Sequence, residues 1–353
     1  MPVAMFSCKN LHIKLKGVME NNKVKISVVM ACYNSAAYLD EAVKSVLAQK
    51  YTDFELILVD DCSVDRTPEI IAAYCATDSR IVSLNLREHS GPAIARNTAI
   101  QAAKGEWIAI LDSDDVACPD RLQEQVKLVG RVPGLVMVGS DSVSIDKRGN
   151  LLQAHRYPLR NINLVSRLYS MRAFPPHSSI MYRASAIKSI AGFRMRFVPA
   201  EDYDFWLRLS EVGQVGSVGK PLVKIRKHPD NISNWDSGVR QFKRALMAAV
   251  CHHLRASGAI DPSASENENE WEEFSAWVDE KIALTGVIER HKARAAARSK
   301  LLSSRYFLIG MLRFAESLLR SGHAIASVTD KFCGSPVPKL LAREWISRDD
   351  PRR

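Results

Sequence analysis

The feature that most constrains this chain is an alternation in its first half. Short apolar runs rich in β-branched residues stand at Ile26 to Ala31, Phe54 to Val59, Ile81 to Leu86, Trp107 to Leu111 and Leu135 to Gly139. Continuous or nearly continuous apolar runs of this length read as buried strands. Helical signals lie between them. Ser35 offers a capping hydroxyl for a helix to about Gln49, with Leu39, Val43, Val46 and Leu47 on one face. Thr67-Pro68-Glu69 joins a hydroxyl to a proline at the first helical position. Gly91-Pro92 opens a helix to about Lys104, and Pro119 starts another. Strands separated by about 10–15 helical residues predict parallel pairing with helices on both faces.

The pattern changes further on. From about Asn161 to Asn234 short helices alternate with apolar segments such as Ser178 to Tyr182 and Leu222 to Ile225. Beyond Trp235 the spacing is helical, and the polar, acidic stretch Ser263 to Glu273 reads as a linker. A basic stretch with helical periodicity follows from Glu289 to Ser321. A length of 353 residues suits one large α/β domain with a smaller appendage. The expected division is an extension at 1–24, a catalytic domain at 25–235 and a helical C-terminal region at 236–353.

The net charge of +10 suits an anionic partner: a nucleotide diphosphate, an anionic membrane or nucleic acid. Zinc-finger, helix-turn-helix and aromatic RNA-binding patterns are missing, which argues against nucleic acid. The cysteines at 8, 32, 62, 75, 118, 251 and 333 are odd in number, scattered and without a Cys-x-x-Cys pair. That pattern predicts reduced thiols in a cytosol. No secretory h-region opens the chain, and no stretch approaches the roughly 20 apolar residues of a membrane span. The expected location is cytoplasmic, with peripheral contact at the inner face of the membrane through the basic stretch. The same stretch also suits a helix packed on the protein with its arginines in water.

Ligands of open α/β sheets bind beyond the carboxyl ends of the strands. Asp60-Asp61 follows one strand directly, and Asp112-Ser113-Asp114-Asp115 follows another. Glu201-Asp202 opens a helix containing Phe205, Trp206 and Leu209. Carboxylates after a strand also cap helices and form turns, so Asp60-Asp61 alone chooses neither reading. Three aspartates in four residues repel one another, and a divalent cation relieves that repulsion. Oxygen ligands suit Mg2+ or Mn2+.

Read together, these segments resemble the family 2 glycosyltransferases. Ser27 to Asn34 followed by Leu58 to Asp65 is similar to the opening of that family. Gly91 to Asn97 is similar to its Gly-x-x-x-Ala-Arg-Asn element, and Asp112 to Asp115 to its Asp-x-Asp motif. Pro176 to Met181, Glu201-Asp202 and the histidine of Arg226 to Ser233 also match in order. The resemblance covers roughly Lys25 to Ser233.

It implies an α/β GT-A fold, a Rossmann-like mixed sheet flanked by helices, with a helical C-terminal extension. It implies a nucleotide-sugar donor, with Ala31, Tyr33, Asn34, Asp61, Arg96 and Asp114 around the nucleotide and Asp61 accepting from a uracil N–H. Asp114, Asp115 and His228 would hold Mn2+ or Mg2+, with Asp115 as the direct ligand. His177 and Glu201 would lie on the acceptor side, and Asp202 would be the general base of an inverting transfer. The acceptor would be a saccharide, free or polyprenyl-linked.

Plainer roles stand beside these: a core aromatic for Tyr33, a surface charge for Arg96, a helix cap for Asp202, a structural ring for His177 and a loop residue for His228. Processive relatives carry Gln-x-x-Arg-Trp; no tryptophan here follows an arginine, which favours addition of one sugar. A sugar-nucleotide nucleotidyltransferase would need a glycine-rich basic loop after the first strand, and Cys32 to Ala36 has neither feature. A non-catalytic nucleotide-sugar-binding relative would have no need of both the aspartate cluster and Asp202.

Overall fold

The computed structural model describes residues 26–229, 231, 235–284 and 337–348. The N-terminal extension, the basic stretch 289–321, Cys8 and Cys333 lie outside them.

The first half alternates as its sequence predicts. β1 (Ile26–Cys32), β2 (Phe54–Asp60), β3 (Ile81–Asn85) and β4 (Trp107–Ile110) pair in parallel, in the order β3-β2-β1-β4. The crossovers are α1 (Leu39–Leu47), α2 (Thr67–Thr77) and α3 (Pro92–Ala102). Alternate residues of β1 point to opposite faces. Ile26, Val28, Met30 and Cys32 join Leu39, Val43 and Val46 of α1 in one core layer. Val29 joins Ala93, Ala95 and Ala99 of α3 in the other. Each fully buried Val, Ile or Leu contributes roughly 1.5–3 kcal/mol, so this double-sided burial fixes the register of the strands.

Past β4 the parallel expectation fails. After the short β5 (Val116–Ala117), α4 (Arg121–Arg131), β6 (Leu135–Asp146), β7 (Leu151–His155) and α5 (Asn161–Tyr169), a 3-10 turn at His177–Ser179 leads into β8 (Met181–Arg183). β8 runs antiparallel to both β4 and β6. β9 (Gln214–Lys227) lies parallel to β6 and antiparallel to β5, giving the order β3-β2-β1-β4-β8-β6-β9-β5 with β7 on β6. β7 turns back on β6 as an antiparallel hairpin, and the chain re-enters the sheet as β8 through the turn at His177–Ser179. The sheet is mixed and flanked by helices, with α6 (Ala184–Ser189) and α7 (Glu201–Val212) leading to α8 (Trp235–Ala256).

Several boundaries moved. β6 extends well past Gly139 to 12 residues, and its partner β9 runs to 14. Ser35 does not cap α1, which begins at Leu39; its hydroxyl faces that of Ser113 at 2.7 Å. Thr67 does not cap α2 either. Its hydroxyl accepts from the Ser35 backbone N–H at 2.8 Å, and Asp65 accepts from Thr67 N–H. The expected linker at 263–273 is largely the start of a helix, α9 (Glu268–Leu284), because Trp271, Phe274 and Val278 bury one face against the core that α8 shares. A last described helix, α10 (Val337–Arg348), packs on α8. Among the described residues no helix is long and apolar enough to cross a membrane.

Candidate active site

The carboxyl end of β2 supplies the first part of the site. Asp61 is only 2% exposed. Its two oxygens accept from the backbone N–H groups of Ser90 at 2.7 Å and Gly91 at 2.8 Å. Gly91 holds φ +85°, a conformation that favours glycine and turns its N–H toward the carboxylate at the start of α3. His89, which the sequence gave no reason to single out, lies 3.0 Å from the same carboxylate and stacks on Tyr33 with ring centroids 3.8 Å apart. Tyr33 is 45% exposed, so it is no core aromatic. Asn34 ties the loops after β1 and β2 together. Its N–H donates to Ser63 Oγ, and its side-chain oxygen accepts from Val64 N–H. Ala31 pairs with Val59 in the β1–β2 ladder directly below them.

The second part follows β4. Asp112, Asp114 and Asp115 lie at the end of an apolar strand, and their surroundings differ sharply. Asp115, the expected direct ligand, is turned inward. One oxygen accepts from Arg226 N–H at 2.8 Å, the other from the Ser178 hydroxyl, and the side chain is buried. Burial, then repulsion from Asp114 and Asp112, pushes its pKa well up. Asp114 is more open. Its Oδ2 lies 2.9 Å from His228 Nε2 and accepts from Asn231 at 3.0 Å. Burial and the Asp112 charge raise its pKa as well. Asp112 stays ionised: burial opposes this, but the Arg96 charge holds its pKa down.

Two partners of this cluster came only from the fold. The Ser178 hydroxyl bridges Asp112 and Asp115. Arg226, 2% exposed, donates to the Asp114 carbonyl and to Glu41 and so seals the loop from below. The oxygen donors with one imidazole fit Mg2+ or Mn2+. Among the described residues no three His, Cys, Asp or Glu side chains form a complete cage. Magnesium sites commonly use one or two carboxylates together with substrate phosphates.

The third part is on α7, and Arg96 connects it to the second. Arg96, expected near the nucleotide, is buried as a bridge. One guanidinium nitrogen donates to Asp112 at 2.9 Å and the other to Glu201 at 2.8 Å, across 105 residues of sequence. Its burial rules out a surface charge. Its neighbour Asn97 exchanges two hydrogen bonds with the Phe193 backbone, which fixes the loop leading to α7.

Glu201 is 5% exposed. Asp202, the second residue of α7, is half-buried, and the N-cap position belongs to Ala200. Burial, then the charge of Glu201, raises the Asp202 pKa to about 7, against the opposing pull of Arg96. A carboxylate poised there can take a proton near neutral pH. His177 sits in the floor, its ring beside those of Phe193 and Trp206. Burial and Arg96 lower its pKa to about 3, so it is neutral at pH 7.

The chain has clear relatives. The family model for glycosyl transferase family 2 matches residues 27–191. A Bacillus subtilis protein carrying the glycosyltransferase name EpsE is 33% identical over 244 residues, covering 67% of this chain and 84% of that protein. Two further curated relatives are spanned over 66% and 54% of their own lengths, the second named for teichuronic acid biosynthesis. Of solved structures, S. aureus TarS 1–349 with UDP-GlcNAc matches with a TM-score of 0.53 at 20% identity, covering 65% of this chain and 66% of that one. The mannosyltransferase PcManGT of Pyrobaculum calidifontis with GDP-Man and Mn2+ matches with a TM-score of 0.51 at 19% identity, covering 93% and 88%. At these identities the two structures show a shared fold.

Proposed function

Because the chain belongs to glycosyl transferase family 2, we propose that it transfers a single sugar, with inversion, from a UDP-sugar to a saccharide or polyprenyl-linked saccharide acceptor in cell-surface polysaccharide biosynthesis. The observation that carries this reading is the Arg96 bridge. It joins the carboxylate cluster after β4 to the Glu201–Asp202 pair, so a site for a charged diphosphate adjoins a group able to act as a base. Residues 25–235 would form the catalytic unit and 236–353 its helical extension.

Asp61, Tyr33, Asn34 and Ala31 would line the nucleotide. Its base would meet the exposed Tyr33 ring, which requires His89 to move or to stack outside it. Asp114 and His228 would hold Mn2+ or Mg2+, with Asp115 shaping the loop from inside. The cation, when bound, offsets charge on the leaving diphosphate. Asp202 would take the proton from the attacking acceptor hydroxyl, a very weak acid that needs a positioned base. His177, neutral and buried, would shape the floor beside it. The basic stretch 289–321 is the candidate contact with an anionic membrane face.

The test is a donor screen. Purified protein with MnCl2 and a panel of UDP- and GDP-sugars, assayed with mixed saccharide acceptors, should release nucleotide with one sugar and form product of inverted anomeric configuration by NMR. Release of pyrophosphate from sugar phosphate and UTP would replace this reading with nucleotidyl transfer.

A further inference from the structure

A cleft of about 320 Å³ opens beside Asp202, and its far wall comes from α8. Gln241, Phe242 and Ala245 line it from that helix, outside the segment matched by the family model. Opposite them stand Phe174 and Trp206, with ring centroids 5.1 Å apart. Trp206 is fixed, since its indole N–H donates to the Tyr182 hydroxyl at 2.7 Å. Gln241 is anchored in turn by its bond to the Pro199 carbonyl. The walls are therefore set before any ligand arrives. Arg172 lines the same cleft, is exposed, and makes no side-chain ion pair or hydrogen bond among the described residues.

We propose that this cleft is the acceptor subsite, that α8 sets which acceptor enters, and that it takes a saccharide bearing an anionic group. This rests on the reading of Asp202 as the base. A pyranose ring has one largely C–H face, which suits an aromatic wall, and hydroxyls at its edge, which suit Gln241 and Asp202. A guanidinium with no side-chain partner among the described residues is a fork for a carboxylate or phosphate. The anionic group belongs either to an acidic sugar or to the diphosphate of a lipid-linked one.

The experiment reads binding without turnover, by saturation-transfer NMR titration of the Asp202→Asn protein loaded with UDP and MnCl2. The probes are a tetrasaccharide ending in glucuronic acid, its carboxyl-reduced neutral counterpart, and a short-chain polyprenyl diphosphate sugar. At least one anionic probe should bind about tenfold or more tightly than the neutral one. A preference for the uronate identifies an acidic sugar as the source, and a preference for the diphosphate identifies the lipid carrier; either supports the site. Ala245→Trp, which fills the cleft, should weaken that binding about tenfold or more, and Arg172→Ala should erase the preference for charge. Phe242→Ala, with a UDP-induced thermal shift as the check on folding, serves if Ala245→Trp does not fold. Equal binding of neutral and anionic probes, no binding of any probe, or binding indifferent to these substitutions would overturn the proposal. Failure of Asp202 as the base shows separately, as undiminished transfer by Asp202→Asn.

Discussion

The carboxylates after β4 and those opening α7 meet the same difficulty in different ways. Both groups crowd negative charge into a partly dry place, which is costly unless the charge is paired. After β4 the crowding is local, with three aspartates in four residues. Its internal relief comes from Arg96 and Ser178, and from β9 and the loop beyond it through the Arg226 backbone, His228 and Asn231. At α7 there are two carboxylates, and Arg96 neutralises only Glu201 directly. Asp202 is left with its pKa raised to about 7. The first arrangement suits the holding of positive charge from outside, and the second suits the gain and loss of a proton.

The largest effect that can break this contrast is at Asp202. Asp202→Asn keeps the shape and removes the basicity, so transfer should fall by roughly two to four orders of magnitude. Calorimetry should find UDP still bound. A collapse of UDP affinity would make Asp202 a binding or structural residue and end the distinction.

Next come Asp114 and Asp115. Chelation with EDTA should abolish turnover, and Asp114→Ala should lower it about a hundredfold or more while the thermal midpoint holds. Asp115→Ala should instead lower the midpoint, because it strands the buried Arg226 N–H and leaves the Ser178 hydroxyl with Asp112 alone. If Asp115→Ala keeps its midpoint and loses only metal response, Asp115 is the direct ligand after all.

A smaller effect tests the coupling in the α7 pair. The ionised form of Asp202 is the active one, so kcat/KM should climb with pH through about 7 and level off above it. Glu201 raises the Asp202 pKa and Arg96 lowers it. Glu201→Gln should therefore move this acid limb to lower pH. A pH–rate profile in which the limb stays put or moves up would contradict the geometry.

The smallest effect lies between the two groups. Ser178→Ala removes the hydroxyl bridging Asp112 and Asp115. It should cost about 1–3 kcal/mol, a midpoint shift of a few degrees by calorimetry. An unchanged midpoint would show that the cluster does not depend on this bridge.

Much of this protein was legible in its sequence because the deciding interactions are local. Nearly continuous apolar runs such as Phe54 to Val59 are stable only when both faces are covered, so the parallel β-α alternation follows from the chain order. Strand ends then place Asp60-Asp61 and Asp112 to Asp115 on one rim of the sheet. What the sequence could not disclose depends on partners far along the chain. Antiparallel β8 in the middle of the sheet, the inward turn of Asp115 onto Ser178 and Arg226, and the helix at the apparent linker are of this kind. Arg96 is the clearest case. Its position in Gly91 to Asn97 marked a charge, and its two partners, Asp112 and Glu201, are brought to the ends of one guanidinium only by the folded chain. A local pattern can say which residues carry charge and which strand ends expose them. Which charge meets which, and how much water is left between them, is decided only when distant segments pack, because burial sets both the cost of a charge and the strength of its pairing.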